Sequence, residues 1–135
     1  MKTNLDKAFK LGKNHVKDGI WINVTDEAAF RVRPFNSSNL DLQKANAKHF
    51  QKFARQIEAN AMAPEKQTEL LAKVFVEACL VDWRGIEIDG VQTPFSKEAA
   101  VPFLIGLPTL FETLLEAAKE KNNYLEDELE AVGNS

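Results

Sequence analysis

The stretch that most constrains the fold of this chain is residues 80–96, LVDWRGIEIDGVQTPFS. An apolar pattern with helical spacing runs into it as far as Val81, and a short alternating apolar run follows. Asp89-Gly90 predicts a turn, because glycine takes positive φ without steric cost. Ser96 is placed to cap the start of a new helix. We therefore expect two helices joined by a compact elbow, residues 83–95, whose apolar side chains are buried.

Before the elbow, the sequence predicts two helices. From about residue 41 to residue 62, apolar side chains recur at the i, i+3, i+4 and i+7 spacing of a buried stripe. This stripe contains Phe50, Phe53 and Ile57. Pro64 then restarts a helix, since proline suits the first helical position, and that helix runs into the elbow.

After the elbow, two prolines punctuate the helical pattern. Pro102 predicts a break or kink in the helix that Ser96 begins, because proline lacks the backbone donor and its ring clashes with the preceding turn. Pro108 is placed to start the last helix, which carries an apolar face.

A β-hairpin is predicted near the N-terminus. Residues 19–25 (GIWINVT) and 30–35 (FRVRPF) alternate apolar and polar side chains around a short polar connection. Because a lone hairpin is marginal in water, it must pack on something, and whether the elbow extends its sheet stays open. The predicted fold class is mainly α (α+β): a small domain of four to five helices with an N-terminal β-hairpin and a short turn or hairpin elbow at 83–95.

The chain length is typical of one domain, so we expect residues 1–135 to form a single unit. Segment 1–18 is expected to be mobile, and the acidic segment 122–135 is expected to fray. No apolar run approaches the roughly 18–20 residues of a membrane span, and the polar N-terminus does not fit a signal peptide. The single cysteine, Cys79, lies in an apolar run and is predicted to be an inert core thiol in a reducing compartment.

The net charge of −3 conceals an asymmetry between the two halves of the chain. Residues 1–60 hold 11 Lys and Arg against 6 Asp and Glu, whereas residues 61–135 hold 6 against 14. Such an asymmetry is consistent with nucleic acid, a charged protein partner or self-association, or with two halves that attract each other within one fold.

No motif of catalysis or metal binding is present in the sequence. The two histidines, His15 and His49, lack metal-ligand spacing, and there is no phosphate-binding loop, dinucleotide fingerprint or nucleophile elbow. Asp82, Glu87 and Asp89 cluster at the elbow but lack the ligand rhythm of a calcium loop, so turn and cap roles are favoured. We therefore expect a protein with no cofactor, no bound metal and no enzymatic activity.

The elbow also carries a family resemblance. It combines a tryptophan-x-glycine motif, an acidic-glycine turn and a P-F-S-K-E helix start, followed downstream by a leucine-proline restart. This combination resembles the tail assembly chaperones of long-tailed (siphophage-type) bacteriophages, most specifically between residues 70 and 118. A hairpin with Arg31 and Arg33 on its second strand is similar to that of some members. The motif residues are Asp82, Trp83, Gly85, Asp89, Gly90, Pro94, Phe95, Ser96 and Pro108.

The resemblance implies a non-enzymatic function. Members of that family bind the tape measure protein, a very long and largely helical chain that sets tail length, and help tail tube subunits assemble around it. They act in the cytoplasm of the infected or lysogenic bacterial host and are absent from the mature virion. We therefore expect the tape measure protein and the major tail (tube) protein as partners, but no nucleic acid and no membrane, and self-association stays open.

Two surfaces are candidates for partner binding. A client helix needs apolar contacts, and the candidates are Phe50, Phe53, Ile57, Trp83 and Phe95, with core packing as the alternative for each. The second surface is a basic stripe, which is either a solvated face or a docking strip for an acidic helix or phosphate. We define the basic stripe as Lys44, Lys48, Lys52 and Arg55.

The alternative function is a small nucleic-acid-binding protein. It would use the basic stripe together with Arg31 and Arg33 to contact phosphates. The acidic pI of about 5.4 and the lack of a helix-turn-helix or RNA-binding signature argue against it.

Overall fold

Helices on both sides of the elbow form most of the fold, in a computed structural model that describes residues 9–126. Within this range the helices are α1 (Lys13–Asp18), α2 (Leu40–Phe50), α3 (Ala54–Glu58), α4 (Pro64–Ala78), α5 (Lys97–Ile105) and α6 (Pro108–Lys119). Short 3₁₀ helices follow α2 and α6, at Gln51–Phe53 and Lys121–Tyr124. Together with a small antiparallel sheet, these helices confirm the predicted mainly α, α+β fold class.

The sheet joins the predicted hairpin to the elbow. Its strands are β1 (Ile20–Asn23), β2 (Ala29–Val32) and β3 (Leu80–Arg84), all antiparallel, with β2 in the centre. Phe30 of β2 lies opposite Ile22 on one side and opposite Trp83 on the other. A second, two-stranded ladder of β4 (Glu87–Ile88) and β5 (Val91–Gln92) lies within the elbow itself.

The helix before the elbow ends earlier than predicted. We expected helix as far as Val81, but α4 ends at Ala78, and Leu80 already pairs with Val32 in β2. A short apolar run fits a buried helix and a buried strand alike. Residues 80–84 form a strand because they pair with β2, and this distant partner is not visible in the local sequence.

The helix predicted from 41 to 62 is also wrong in its length. α2 ends at Phe50, and a 3₁₀ turn and the five-residue α3 follow it. α2 buries Leu42 and Ala45, whereas the 3₁₀ turn and α3 contain no buried residue. Because most helical stability in proteins comes from tertiary packing, nothing holds this second half to a continuous helix.

The predicted helix starts agree with the structure, whereas the predicted break at Pro102 does not. Pro64 and Pro108 occupy first-turn positions of α4 and α6, and the Ser96 hydroxyl accepts a hydrogen bond from the Ala99 N–H at 3.1 Å. Pro102, in contrast, lies inside an uninterrupted α5. The carbonyl that its missing N–H leaves free belongs to Glu98 in the exposed first turn, where water can satisfy it.

The core lies where the sheet meets α2, α4, α5 and α6. Phe75 of α4 is fully buried and packs edge-on against Phe111 of α6, with ring centroids 5.5 Å apart. Fully burying a side chain of this kind stabilises a fold by about 1.5–3 kcal/mol. Asn39, the cap of α2, is fully buried, and its side-chain amide donates to two carbonyls while its oxygen accepts one backbone N–H.

The two ends of the described range pair with each other. Leu11 forms an isolated antiparallel bridge with Leu125, and the Gly12 N–H donates to the Tyr124 carbonyl at 3.0 Å. Tyr124 is fully buried, and its hydroxyl donates to the Val32 carbonyl at 2.9 Å. Residues 9–18 and 122–126 thus contact each other at the ends of the described range. The mobile segment (1–18) and the frayed tail (122–135) stay predictions, and the remainder of both segments lies outside the described residues.

Among helices of the described range, no single one is long and apolar enough to cross a membrane. Only α5 and α6 taken together are long and apolar enough, and the two helices are bent by 113° relative to each other.

Candidate binding groove at the elbow

Trp83 is the centre of the elbow. Its ring packs edge-on against Phe95 and Phe103, at centroid distances of 5.4 and 5.3 Å, and against Phe30 at 6.1 Å. Its indole N–H donates to the Thr93 carbonyl at 2.9 Å, so the polar end of the buried ring is satisfied. With 4% of its surface exposed, Trp83 therefore joins the sheet, the elbow and α5.

The remaining motif residues of the elbow have local conformational roles. Asp89 (φ 53°) and Gly90 (φ 78°) both take positive φ, which is the geometry of a type I′ hairpin turn. The Asp82 carboxylate accepts a hydrogen bond from the Trp83 N–H at 2.8 Å. Gly85 has a φ of 70°, and a Cβ at this position would collide with the carbonyl oxygen of Glu27. The elbow is therefore pressed directly against the connection between β1 and β2.

A groove of about 570 Å³ lies where the elbow, the β1–β2 connection and α6 meet. We call it the elbow groove. Its apolar lining consists of Val24, Ala28, Phe30, Ile86, Phe103 and Leu110. Its polar lining consists of Asn23, Thr25, Glu87, Thr109 and Thr113, and Gly85 completes it. Phe30 and Phe103 are thus part of the wall of the groove, and both pack against Trp83.

The predicted apolar candidates fall into two separate groups. Trp83 and Phe95 are in contact at the elbow. Phe53, by contrast, lies under the ammonium group of Lys66, in the first turn of α4, at 5.0 Å from its ring centroid. Trp83 follows the far end of this 15-residue helix, which is about 22 Å long.

The exposure of these candidates differs as well. Ile57 is 43% exposed, Phe50 and Phe53 are half-buried, and Trp83 is buried. Because the 3₁₀ turn separates α2 from α3, Phe50, Phe53 and Ile57 do not form the continuous helical stripe that we expected. A role of these side chains in partner binding stays a prediction.

The basic stripe extends over three consecutive helical segments and not over one helix. Lys44 and Lys48 lie on α2, Lys52 in the 3₁₀ turn and Arg55 on α3, and all four are exposed. Lys48 forms an ion pair with Glu77 of α4 at 2.8 Å.

Glu77 also accepts from His49 at 3.1 Å. The hydrogen bond from Lys48, and secondarily its charge and that of His49, hold the pKa of the Glu77 carboxyl below its usual range, although burial opposes this. Lys48 thus has a structural role in joining α2 to α4.

The two arginines of β2 and its extension are placed differently. The Arg33 guanidinium binds Asp41 at 2.8 Å, and its Nε donates to the Val16 carbonyl at 3.1 Å. Arg31 is half-buried, and its Nε has no hydrogen-bond partner among the described residues. The Arg33 guanidinium is therefore already engaged by groups of the fold.

The described range contains one thiol and side chains that could in principle bind a metal. Within residues 9–126, no group of three or more His, Cys, Asp and Glu side chains is arranged to hold a metal ion. Burial raises the pKa of the Cys79 thiol to about 12, so the thiol is protonated at neutral pH. A protonated, buried thiol is unreactive, which agrees with the predicted core role of Cys79.

Most residues of the elbow groove were missed by the sequence analysis. Val24, Ala28, Thr109 and Thr113 gave no signal of their own, because the groove is assembled from segments that are far apart in the chain. The only usable signal was the elbow motif, since Gly85, Ile86 and Glu87 follow Trp83 directly and line the groove.

The family model of the YdaY prophage protein matches residues 35–134, which is most of the chain. The protein therefore belongs to the YdaY prophage protein family, and the prediction of a phage-derived protein is confirmed. The matched region includes the whole elbow, α5 and α6, and begins just after the β1–β2 hairpin. Neither the curated proteins nor the solved structures include a match to the chain.

Proposed function

We propose that this prophage protein is a non-enzymatic tail assembly chaperone that binds the tape measure protein and promotes assembly of the major tail protein around it. The observation that carries the proposal is the elbow groove, whose wall is organised by the tryptophan of the elbow motif. Membership of a prophage family supports the coarser part of the proposal. The resemblance of the elbow to tail assembly chaperones supports the finer part.

The groove has the chemistry that a helical client requires. A long helical chain offers apolar seams, and a groove with apolar walls and polar margins can cover such a seam. The walls are supplied by side chains such as Val24, Phe103 and Leu110, and the margins by Thr109 and Thr113. A volume of about 570 Å³ lies in the usual range of binding clefts. In this proposal, Trp83 is a positioning residue, and Phe95 packs edge-on against it at 5.4 Å between ring centroids.

The proposed site of action follows from the client. Shielding the tape measure protein before tail assembly places the chaperone in the cytoplasm of the bacterial host and outside the mature virion.

The test is co-expression with the tape measure protein of the same prophage. The wild-type protein should keep this client soluble and co-purify with it. Thr113→Trp should abolish both effects, because the indole would fill the groove from the exposed side of α6. Gln56→Trp places the same side chain on the exposed face of α3, away from the groove, and should behave like the wild type.

Thermal unfolding of both variants checks that they fold. If the client stays insoluble with excess wild-type protein, or if a folded Thr113→Trp variant still keeps it soluble, the proposal is wrong.

A further inference from the structure

We infer that the elbow groove selects an amphipathic helix whose apolar stripe is flanked by Lys or Arg side chains. This inference rests on the proposed function and adds the chemistry of the client segment. The reason is the sign of the charge around the groove.

Carboxylate residues lie in the lining of the elbow groove and next to its lining residues in the chain. Glu87 is the only charged residue among those that line it. Asp26 and Glu27 lie in the β1–β2 connection, between the lining residues Thr25 and Ala28. On the other side, Glu112 precedes Thr113 on α6. All four carboxylate side chains belong to exposed residues, so they can meet a partner at the margin of the groove.

These carboxylates have no cation of their own. Within residues 9–126, none of the four lies within ion-pair distance of a Lys, Arg or His side chain. One guanidinium flanks this end of the sheet, but Arg84 stacks over the Trp21 ring at 4.6 Å and donates to the Asn23 side chain at 3.5 Å. The four carboxylates therefore outnumber the one guanidinium, and the net formal charge around the groove is negative.

The backbone that carries Asp26 and Glu27 is held in place. The Thr25 hydroxyl accepts hydrogen bonds from the Glu27 and Ala28 N–H groups, at 3.3 and 2.9 Å, which holds the β1–β2 connection in a tight turn. The close approach of Gly85 to the Glu27 carbonyl then fixes this turn against the elbow. The backbone of this acidic margin is thus held against the elbow and is not part of a free loop.

A helix with basic flanks matches this arrangement. Lys and Arg lay their apolar stems over an apolar margin while the charged head stays in water, where it can meet a carboxylate. A helix with acidic flanks would place like charges together, which suppresses binding of the wrong partner. Charge complementarity of this kind is weakened by salt, because the Debye length falls from about 10 Å at 0.1 M to about 3 Å at 1 M.

The probes are two synthetic amphipathic peptides of about five helical turns with the same Leu and Ala stripe, one flanked by Lys and the other by Glu. Binding to the full chain is measured by fluorescence anisotropy at low and high salt. With three to four carboxylates engaged, the Lys peptide should bind about tenfold or more tightly than the Glu peptide at low salt. The difference should largely disappear in about 1 M salt.

Charge reversal locates the effect. The double variant Asp26→Lys/Glu87→Lys should lose the preference for the Lys peptide and gain affinity for the Glu peptide. Glu58→Lys, on exposed α3, is the matched control and should retain the wild-type preference. Thr113→Trp should abolish binding of the Lys peptide. Equal affinity for the two peptides, or an equal loss of preference in Glu58→Lys, would overturn the inference.

The outcome also separates this inference from the proposed function. If the Lys peptide binds the groove but the tape measure protein does not, the chemistry of the groove stands and the proposed client is wrong. If the tape measure protein binds through the groove but the peptides show no charge preference, the inference fails and the proposed function stands. If Thr113→Trp dissociates a dimer of the wild-type chain, the groove is occupied by a second copy and the inference is overturned.

Discussion

Gly85 and Gly90 both take positive φ, yet their surroundings differ. Gly90 lies at the tip of the β4–β5 turn, where a Cβ would meet no atom within 4 Å. Gly85 faces the backbone of Glu27 so closely that a Cβ cannot be accommodated without moving one of the two segments. At Gly90, glycine is needed for conformation alone, whereas at Gly85 it is also needed for contact.

Gly85→Ala should therefore destabilise the protein more than Gly90→Ala. Both substitutions carry the conformational cost of positive φ, about 1 kcal/mol. Only Gly85→Ala adds a backbone collision, which no side-chain rotation can relieve, so a total loss of about 3 kcal/mol or more is expected. Urea unfolding of the two variants measures the difference. Equal losses would show that the elbow and the β1–β2 connection are not in the close contact described here.

Asn39 is the other residue whose role depends on burial. Its side-chain amide donates to the Pro34 and Ala78 carbonyls, at 3.0 and 2.8 Å, and its oxygen accepts from the Asp41 N–H at 3.2 Å. One side chain thus caps α2, fixes the segment that follows β2 and satisfies the end of α4.

Asn39→Ala should lower the free energy of unfolding by about 2–4 kcal/mol, because it removes a helix cap and the closest donor to two buried carbonyls, which keep only the longer contacts from Arg33 and Cys79. Asn39→Asp keeps the capping oxygen but loses both donors, so at neutral pH it should not restore the wild-type stability. Asn46→Ala, at an exposed position of the same helix, is the matched control and should have little effect. Chemical unfolding measures all three. A loss of stability in Asn39→Ala no larger than that of the control would contradict the assigned role.

At the scale of elements, α2 is joined to α4 both by burial and by a surface ion pair. Leu42 and Ala45 bury one side of α2, and the Lys48–Glu77 pair connects the two helices at 2.8 Å. Since the Glu77 side chain is 34% exposed, solvent screens the pair and its contribution is small, about 0.5 kcal/mol.

Glu77→Gln should reveal this contribution through its pH dependence. The folded protein holds the pKa of the Glu77 carboxyl below its usual value of 4.5, first because Lys48 donates a hydrogen bond to the carboxylate. A lowered folded pKa stabilises the fold at pH values above the unfolded pKa, and this stabilisation is lost as the pH falls through the folded pKa. The variant should therefore be about 0.5 kcal/mol less stable than the wild type at neutral pH, and the two should converge in the acid range below about 4.5.

Urea unfolding as a function of pH measures the convergence, with Glu58→Gln as a control whose curve should run parallel to that of the wild type. A Glu77→Gln difference that persists unchanged at acid pH would mean that packing, and not the ion pair, is responsible.

The elements that local chemistry specifies were predictable from the sequence, and those that depend on distant partners were not. The Asp89-Gly90 turn, the Ser96 cap and the proline starts at Pro64 and Pro108 each follow from one or two residues. The strand character of Leu80–Arg84 depends on pairing with β2, about 50 residues earlier in the chain. The elbow groove is formed by segments that are far apart in the chain. For this reason only the residues of its elbow side could be predicted from the sequence.

At the scale of the whole molecule, long-range contacts connect the hairpin to everything that follows it. β2 pairs with β3, the Phe35 N–H donates to the Ala118 carbonyl at 2.9 Å, and the Tyr124 hydroxyl reaches the Val32 carbonyl. The hairpin is thus connected to the elbow, to α6 and to the segment after it. Because an isolated hairpin is marginal in water, it should have no stability of its own apart from these contacts.

The two tryptophans make this expectation measurable. Trp21→Phe leaves Trp83, which reports on the buried elbow, and Trp83→Phe leaves Trp21, which reports on β1 of the hairpin. If residues of the hairpin and the helices unfold as one domain, the fluorescence transition of each variant in urea should coincide with the loss of its own helical circular dichroism. Trp83→Phe should have the lower urea midpoint, since it loses the hydrogen bond to Thr93 and part of the contact with Phe95 and Phe103. Its fluorescence and circular dichroism transitions should still coincide with each other. A Trp21 transition that precedes the loss of helix would show that the hairpin unfolds separately, and the single-domain prediction would then be wrong.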